Sequence, residues 1–170
     1  MINALFAVDA HGGMGFNGTM PWPKNPSDLK NFQNLTIGHV VVMGRKTWDD
    51  KNMPKPLPGR ITYVATTKPF LSYTLTIRGD MQEEILRIEQ QHPDKIIWII
   101  GGPELLDQCH GLFDKLYLTH HKGSYKIDTK INLKKFLAGW EAKSATADPD
   151  QNFTTVIYES LFKRTSRSLN

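Results

Sequence analysis

A single cysteine, Cys109, stands in 170 residues. That excludes an internal disulfide and points to a fold with no need of an oxidising compartment, so a cytoplasmic protein is expected. No apolar run approaches the roughly 20 residues of a membrane-spanning helix. The first apolar run, Ile2 to Val8, has no basic residue before it and is broken by Asp9, so no signal peptide is expected. Basic residues form no long run, and the net charge is only +4. Such a charge fits an anionic small molecule as well as it fits nucleic acid, and nothing but charge favours the latter. What is present is ordinary for a globular chain, with 39% hydrophobic and 22% charged residues. The length suits one domain able to bury a real core, read here as a monomer.

The chain is organised around Met20-Pro-Trp-Pro-Lys-Asn-Pro-Ser-Asp-Leu-Lys-Asn-Phe32, where three prolines within six residues hold the start open. Asn25 is a good N-cap, Pro26 suits the first helical position and Asp28 the third. From there Leu29, Phe32 and Leu35 recur at intervals of three, an apolar stripe beside Asp28. One reading makes Asp28 the second half of a capping box with Asn25. The other turns its carboxylate into an apolar cleft, to hold a flat, nitrogen-rich ligand between aromatic walls.

Elsewhere the pattern alternates strands and helices. Ile2 to Val8 reads as a buried strand leading into four glycines in the seven residues Gly12 to Gly18. Gly13-Met-Gly-Phe-Asn-Gly18 spells the dinucleotide fingerprint, but Pro21 and Pro23 follow where that motif must open a helix, so the match is rejected. The segment is read as a mobile lid. Strand His39 to Met43 runs into Gly44-Arg-Lys-Thr-Trp48, a place to hold phosphate on free backbone N–H groups or simply a basic helix start. Met53-Pro-Lys-Pro-Leu-Pro-Gly-Arg60 is a proline-fixed loop that delivers Arg60, as a carboxylate clamp or an exposed edge charge, to strand Ile61 to Ala65. Thr66-Thr-Lys-Pro69 closes that strand with two hydroxyls and a cation. A strand from Thr74 to Ile77 precedes a helix capped by Asp80 and running to Gln91. Lys95 to Ile100 is the most apolar strand, hence the central one, and ends in Gly101-Gly102, where backbone can approach a ligand. Phe113 to Thr119 and Asn152 to Leu161 supply late strands, and the polar, basic tail from Lys163 to Asn170 is expected to fray. The order predicts an α/β sheet, mostly parallel, with ligands at the carboxyl ends of its strands.

Taken together, Pro21-Trp22, Asp28-Leu29 with Phe32, Met43-Gly-Arg-Lys-Thr-Trp48, Pro56-Leu-Pro-Gly-Arg60 and Ile100-Gly-Gly102 resemble the dihydrofolate reductase family. Leu116-Tyr-Leu-Thr119 and Asp128-Thr129 match family positions in the same order, so the resemblance runs from Ile2 to about Leu161. It implies one domain over residues 1–162, with 163–170 as a tail. The domain would hold an eight-stranded, mostly parallel sheet with an antiparallel C-terminal edge strand and helices on both faces. The activity implied is NADPH-dependent reduction of 7,8-dihydrofolate to tetrahydrofolate, by hydride transfer to C6 and protonation at N5, in one-carbon and thymidylate metabolism.

On this resemblance Asp28 would hydrogen-bond the 2-amino group and ring nitrogen of the pterin, and Thr119 would support it directly or through water. Trp22 and Met20 complete the catalytic group, the lid gating water. Leu5, Ala7, Leu29, Phe32 and Ile100 would line the pterin pocket, with Leu57 against the aminobenzoyl ring and Arg60 clamping the glutamate α-carboxylate. Gly44, Arg45, Lys46 and Thr47 would hold NADPH phosphates, with Thr66, Thr67 and Lys68 at the 2′-phosphate. Ala7, Met14, Gly15, Gly101 and Gly102 would sit toward the nicotinamide and pyrophosphate, with a cis peptide at the glycine pair.

The chain departs from the family pattern at Pro103 and Leu106, where glycine and tyrosine are usual. It also carries an extra residue between Trp22 and Asp28, a longer loop from Asp50 to Lys55, and Gly12-Gly13, which should loosen the lid. A riboflavin-pathway reductase of the same fold lacks both the acid after Pro-Trp and the proline-fixed arginine. A folate-binding component of an assembly is the non-enzymatic alternative. Cys109-His110 and His120-His121 fit no zinc spacing, since adjacent histidines on a strand face opposite ways.

Overall fold

Alternation along the strands assigns each residue to one of two cores. In a strand, successive side chains take opposite faces. Ile2, Ala4, Phe6 and Val8 of β1 (Ile2–Val8) therefore enter one cluster while Leu5 enters the other. The computed structural model describes residues 1–68 and 75–162. The expected strand start at Thr74, Pro69 and the 163–170 tail lie outside them.

After β1 come β2 (Gly13–Gly15), α1 (Pro26–Thr36), β3 (Val40–Gly44) and α2 (Arg45–Trp48). They are followed by β4 (Ile61–Ala65), β5 (Leu75–Ile77), α3 (Met81–Gln91), β6 (Ile97–Ile99) and α4 (Pro103–Cys109). The chain continues through β7 (Lys115–His121), β8 (Thr129–Lys130), α5 (Leu133–Phe136), β9 (Trp140–Ala147) and β10 (Phe153–Ser160). Eight strands form one sheet in the order β5-β4-β3-β6-β1-β7-β10-β9, and β2 pairs with β8 apart from it. All pairings from β5 across to β7 are parallel, whereas β10 runs antiparallel to both β7 and β9. The antiparallel edge is thus two strands deep, with β9 outermost.

The expected strands lie within one or two residues of those found, and apolar β6 does sit mid-sheet, between β3 and β1. β9 is not expected from the sequence, because Trp140–Ala147 shows no apolar face and nearly every residue is exposed. The family departures sit quietly in α4. Pro103 occupies the first turn, which lacks a hydrogen-bonding role for its nitrogen, and Leu106 is fully buried in the core.

α1 and the Leu57 loop cover one face, packing Phe32, Leu35 and Leu57 on Leu5, Val41, Met43, Val64 and Trp98. On the other face α3 and α4 set Ile85, Ile88, Leu105 and Leu106 against β1, β3 and β6. Each such aliphatic side chain, fully buried, contributes about 1.5–3 kcal/mol. Helices therefore lie on both faces. At the carboxyl ends of β1, β3, β6 and β7 stand Gly44 and His121, the last residues of β3 and β7, and the loops that carry Trp22 and Gly101.

Candidate active site

The start of α1 is capped without any help from Asp28. Asn25 Oδ1 accepts the backbone N–H groups of Ser27 at 3.0 Å and Asp28 at 3.2 Å. The Asp28 carboxylate does not return to Asn25, as a capping box requires. It crosses to β7, where its Oδ2 lies 3.2 Å from His121 Nε2, and its side chain is only 15% exposed. Trp22 stacks on the His121 ring, centroids 4.1 Å apart and planes 14° apart, with Tyr125 at its edge. The Trp22 indole N–H is buried and has no partner among the described residues. Thr119 shares a strand face with His121, two residues on, but its hydroxyl lies 3.5 Å from that of Thr155. The sequence reading gives His121 no role, although strand parity places it on the face of Thr119. Its neighbour His120 points away, to the Tyr158 hydroxyl at 3.0 Å, and burial pushes that imidazole below its usual value.

Four of the residues expected at the substrate share one neighbourhood. Leu5, Phe32, Leu57 and Ile100 meet in a single apolar cluster. Ala7 is the one residue of β1 that is not fully buried. Leu29 stays exposed, outside both core clusters. Arg60 is fastened at the far end. Its Nε donates to Pro58 O at 3.0 Å, a terminal nitrogen donates to Thr36 Oγ1 at 3.2 Å, and the guanidinium rides over Phe32 at 5.8 Å. Burial draws its pKa below the ordinary arginine value. The proline-fixed loop before it contains a cis Lys55–Pro56 bond.

At the carboxyl ends of β3 and β6, Gly44 N donates to Gly101 O at 2.7 Å, and the Gly101–Gly102 peptide is cis. Gly101 has φ +123°, which a side chain rarely tolerates, and a methyl built there would lie 3.7 Å from Met14 and 4.0 Å from Thr47 Oγ1. Met14, Thr47 and the glycine pair therefore meet, and nothing lies within 4 Å of a Cβ built on Gly102. α2 is a single turn with no side-chain cap, and Gly44 N at its start is already engaged. Arg45 Nε sits 3.0 and 3.1 Å from the Asp49 oxygens, yet its NH1 is buried without a partner among the described residues. Lys46, Thr67 and Lys68 are exposed, while Thr66 is buried and accepts the Lys68 N–H. A guanidinium nitrogen orphaned among the described residues, three hydroxyls, two exposed lysines and a side-chain-free glycine pair fit a phosphate-bearing dinucleotide.

The glycine-rich segment is closely packed at Gly12 and Gly13. A Cβ on Gly12, at φ +79°, would come 2.5 Å from Ile131 O, and one on Gly13 would come 2.6 Å from Ile127 Cγ2. Both positions need glycine for close packing. Asp9, almost fully buried, accepts N–H bonds from His11, Gly13 and Tyr125. Burial raises its carboxyl, but those backbone hydrogen bonds together outweigh it and hold the group below the usual value. Further along, Asp128 Oδ2 accepts from Asn17 N at 2.9 Å, and Asp128 N donates to Gly15 O at 3.0 Å. Met20 is half-buried at the end of this segment. No helix among the described residues is long and apolar enough to cross a membrane.

The family model for dihydrofolate reductase matches residues 1–163. Dihydrofolate reductase type 9 of Escherichia coli is 32% identical over 165 residues, covering 93% of this chain and 90% of its own length. The dihydrofolate reductase of Bacillus subtilis is 33% identical over 72% of this chain and 71% of its own. The solved structure of dihydrofolate reductase from Enterococcus faecalis, complexed with NADP(H) and RAB-propyl, superposes with a TM-score of 0.81. It is 28% identical, over 94% of this chain and 96% of that one. The family match thus runs along nearly the whole length on a shared fold, and the chain belongs to the dihydrofolate reductase family.

Proposed function

We infer that this chain reduces 7,8-dihydrofolate to 5,6,7,8-tetrahydrofolate as an NADPH-dependent oxidoreductase. The observation that carries the reading is Asp28, a largely buried carboxylate released from capping duty and turned toward the end of β7. A pterin edge offers paired N–H donors, and a carboxylate accepts two at once in charge-assisted bonds stronger than neutral ones. Asp28 would orient and polarise the ring from that edge. Leu5, Ala7, Leu29, Phe32 and Ile100 would wall it, and Leu57 would support the aminobenzoyl group. Arg60 would take the glutamate carboxylate.

NADPH, when bound, supplies the hydride that C6 receives. Arg45, Lys46 and Thr47, with Thr66, Thr67 and Lys68, are the side chains to hold its phosphates, beside Gly44, Gly101 and Gly102. Ala7, Met14 and Gly15 would close on the nicotinamide side. N5 takes its proton from water, which the unpartnered Trp22 N–H is suited to hold and which Met20 and the tethered lid admit or exclude. Thr119 backs the site from β7. The protein acts on this small molecule as a monomeric, cytoplasmic domain of residues 1–162, without nucleic acid. A riboflavin-pathway reductase would have no use for Asp28 and Arg60 in these places.

The test is loss of nicotinamide absorbance on mixing the protein with dihydrofolate and NADPH. Wild type should turn over, and Asp28→Asn should lose on the order of 10²-fold, the scale of a missing acid–base partner. Turnover by the mutant near the wild-type rate would overturn the assignment.

A further inference from the structure

We propose that His121 is a positioning residue for the reductase, holding the Asp28 carboxylate in the orientation that receives the substrate. The inference rests on the reductase reading above and concerns a side chain to which no role has been given. A carboxylate only accepts hydrogen bonds, so the ring nitrogen facing it, Nε2 at 3.2 Å, carries the hydrogen. Two neighbours fix that donor. Trp22 stacks on the ring, and Phe153 of β10, paired with His121 through the strand backbone, packs its ring at 5.4 Å and 44°. The side chain is 4% exposed, and among the described residues Asp28 is the one carboxylate within ion-pair distance of it.

A histidine so enclosed could be merely satisfied by the nearest acceptor. Two features weigh against that. The N-terminus of α1 is already capped by Asn25, so the fold does not need the Asp28 carboxylate there. And the terminal torsion of an aspartate is soft and broadly two-fold, so the carboxylate plane is set by its partners rather than by its own chain. Each carboxylate oxygen offers two acceptor positions. His121 uses one on Oδ2, which leaves acceptor positions on both oxygens for a pair of substrate N–H groups. The carboxylate is thereby ordered before substrate arrives. Ordering before binding is where such a hydrogen bond acts on rate and not only on stability.

His121→Phe keeps an aromatic ring against Trp22 and removes the donor, whereas His121→Gln keeps an N–H donor without the imidazole. The expected result is a fall of roughly tenfold or more in kcat/KM for dihydrofolate in the phenylalanine variant, the scale of a lost hydrogen bond to a charged group. The KM for NADPH should be unchanged, and glutamine should recover much of the loss. In the Asp28→Asn background the same phenylalanine substitution should have no further effect, because its target is gone. A merely structural histidine would lower the unfolding midpoint and leave that coupling absent. The proposal is overturned if His121→Phe stays within about twofold of wild type, or if its loss persists undiminished beside Asp28→Asn.

Should the phenylalanine variant not fold, ¹⁵N-histidine NMR decides on wild type and Asp28→Asn alone. The Nε2 resonance should be that of a protonated ring nitrogen and should move on Asp28→Asn, and an unmoved resonance overturns the proposal. Failure here differs from failure of the reductase reading. Wild type that does not turn over sinks both, whereas wild type that turns over while His121→Phe matches it sinks only this one.

Discussion

Arg60 is in position before any ligand arrives, held by Pro58 O, by the Thr36 hydroxyl and by the face of Phe32. Thr36 is itself fully buried and donates to Phe32 O at 2.8 Å, so a rigid helix turn supports the guanidinium. An arginine ordered in advance loses little freedom on forming a bidentate pair. Arg60→Leu should raise the KM for dihydrofolate by roughly 10- to 100-fold, the value of charge-assisted hydrogen bonds, and leave the KM for NADPH alone. Steady-state kinetics with each substrate varied in turn checks this. A folate analogue without the glutamate should be indifferent to the substitution. Residues of this kind were legible in the sequence because local chemistry marks them. Asn25 before Pro26 announces a cap, and prolines around Arg60 announce a fixed delivery. His121 was not legible as the partner of Asp28, since their contact joins positions 93 residues apart and no local pattern carries it.

Between β1 and the lid the fold depends on Asp9. Its carboxylate gathers three backbone N–H groups where the chain turns from strand into glycine-rich loop. The carboxyl is lowered in the folded protein. A lowered carboxyl stabilises the fold above its unfolded value of about 3.9, and that contribution is lost as pH falls through the folded value. Asp9→Asn should therefore be less stable than wild type at neutral pH, with the gap narrowing between about pH 5 and about pH 3. Urea unfolding at a series of pH values measures it, and a gap constant across that range would show that Asp9 acts through shape alone. Elements with a buried face were readable. β1, β3 and β6 are almost continuous apolar runs, and α3 carries its cap at Asp80. β9 was not, because an exposed edge strand needs no apolar alternation. The close packing of Gly12 and Gly13 was not legible for a related reason. Glycine marks close approach as well as freedom, and only the position of Ile131 O and Ile127 tells which.

Across the whole molecule, parallel crossovers bring the carboxyl ends of β1, β3, β6 and β7 to one edge, although their order in the sheet is not their order in the chain. Strand type was legible, and sheet order was not, because pairing partners are chosen by packing between distant segments. The charged side chains proposed for substrate and for cofactor nevertheless lie on different elements or at opposite ends of one strand. Asp28 and Arg60 lie on α1 and at the entry to β4, whereas Arg45 and Thr47 lie on α2 and Thr66 follows β4. Each ligand should then stabilise the folded chain separately. A ligand that binds only the native state at about 100 times its Kd adds about 2.7 kcal/mol. For a domain of this size that corresponds to a rise of roughly 5–10 °C in the unfolding midpoint. In wild type both NADPH and dihydrofolate should produce such a rise. In Asp28→Asn the rise with dihydrofolate should shrink sharply while that with NADPH persists, read by calorimetry at matched concentrations. Equal loss of both would mean that Asp28 supports the fold of the whole site and not the pterin alone, because a substitution confined to one ligand's contacts has no means of weakening the other's.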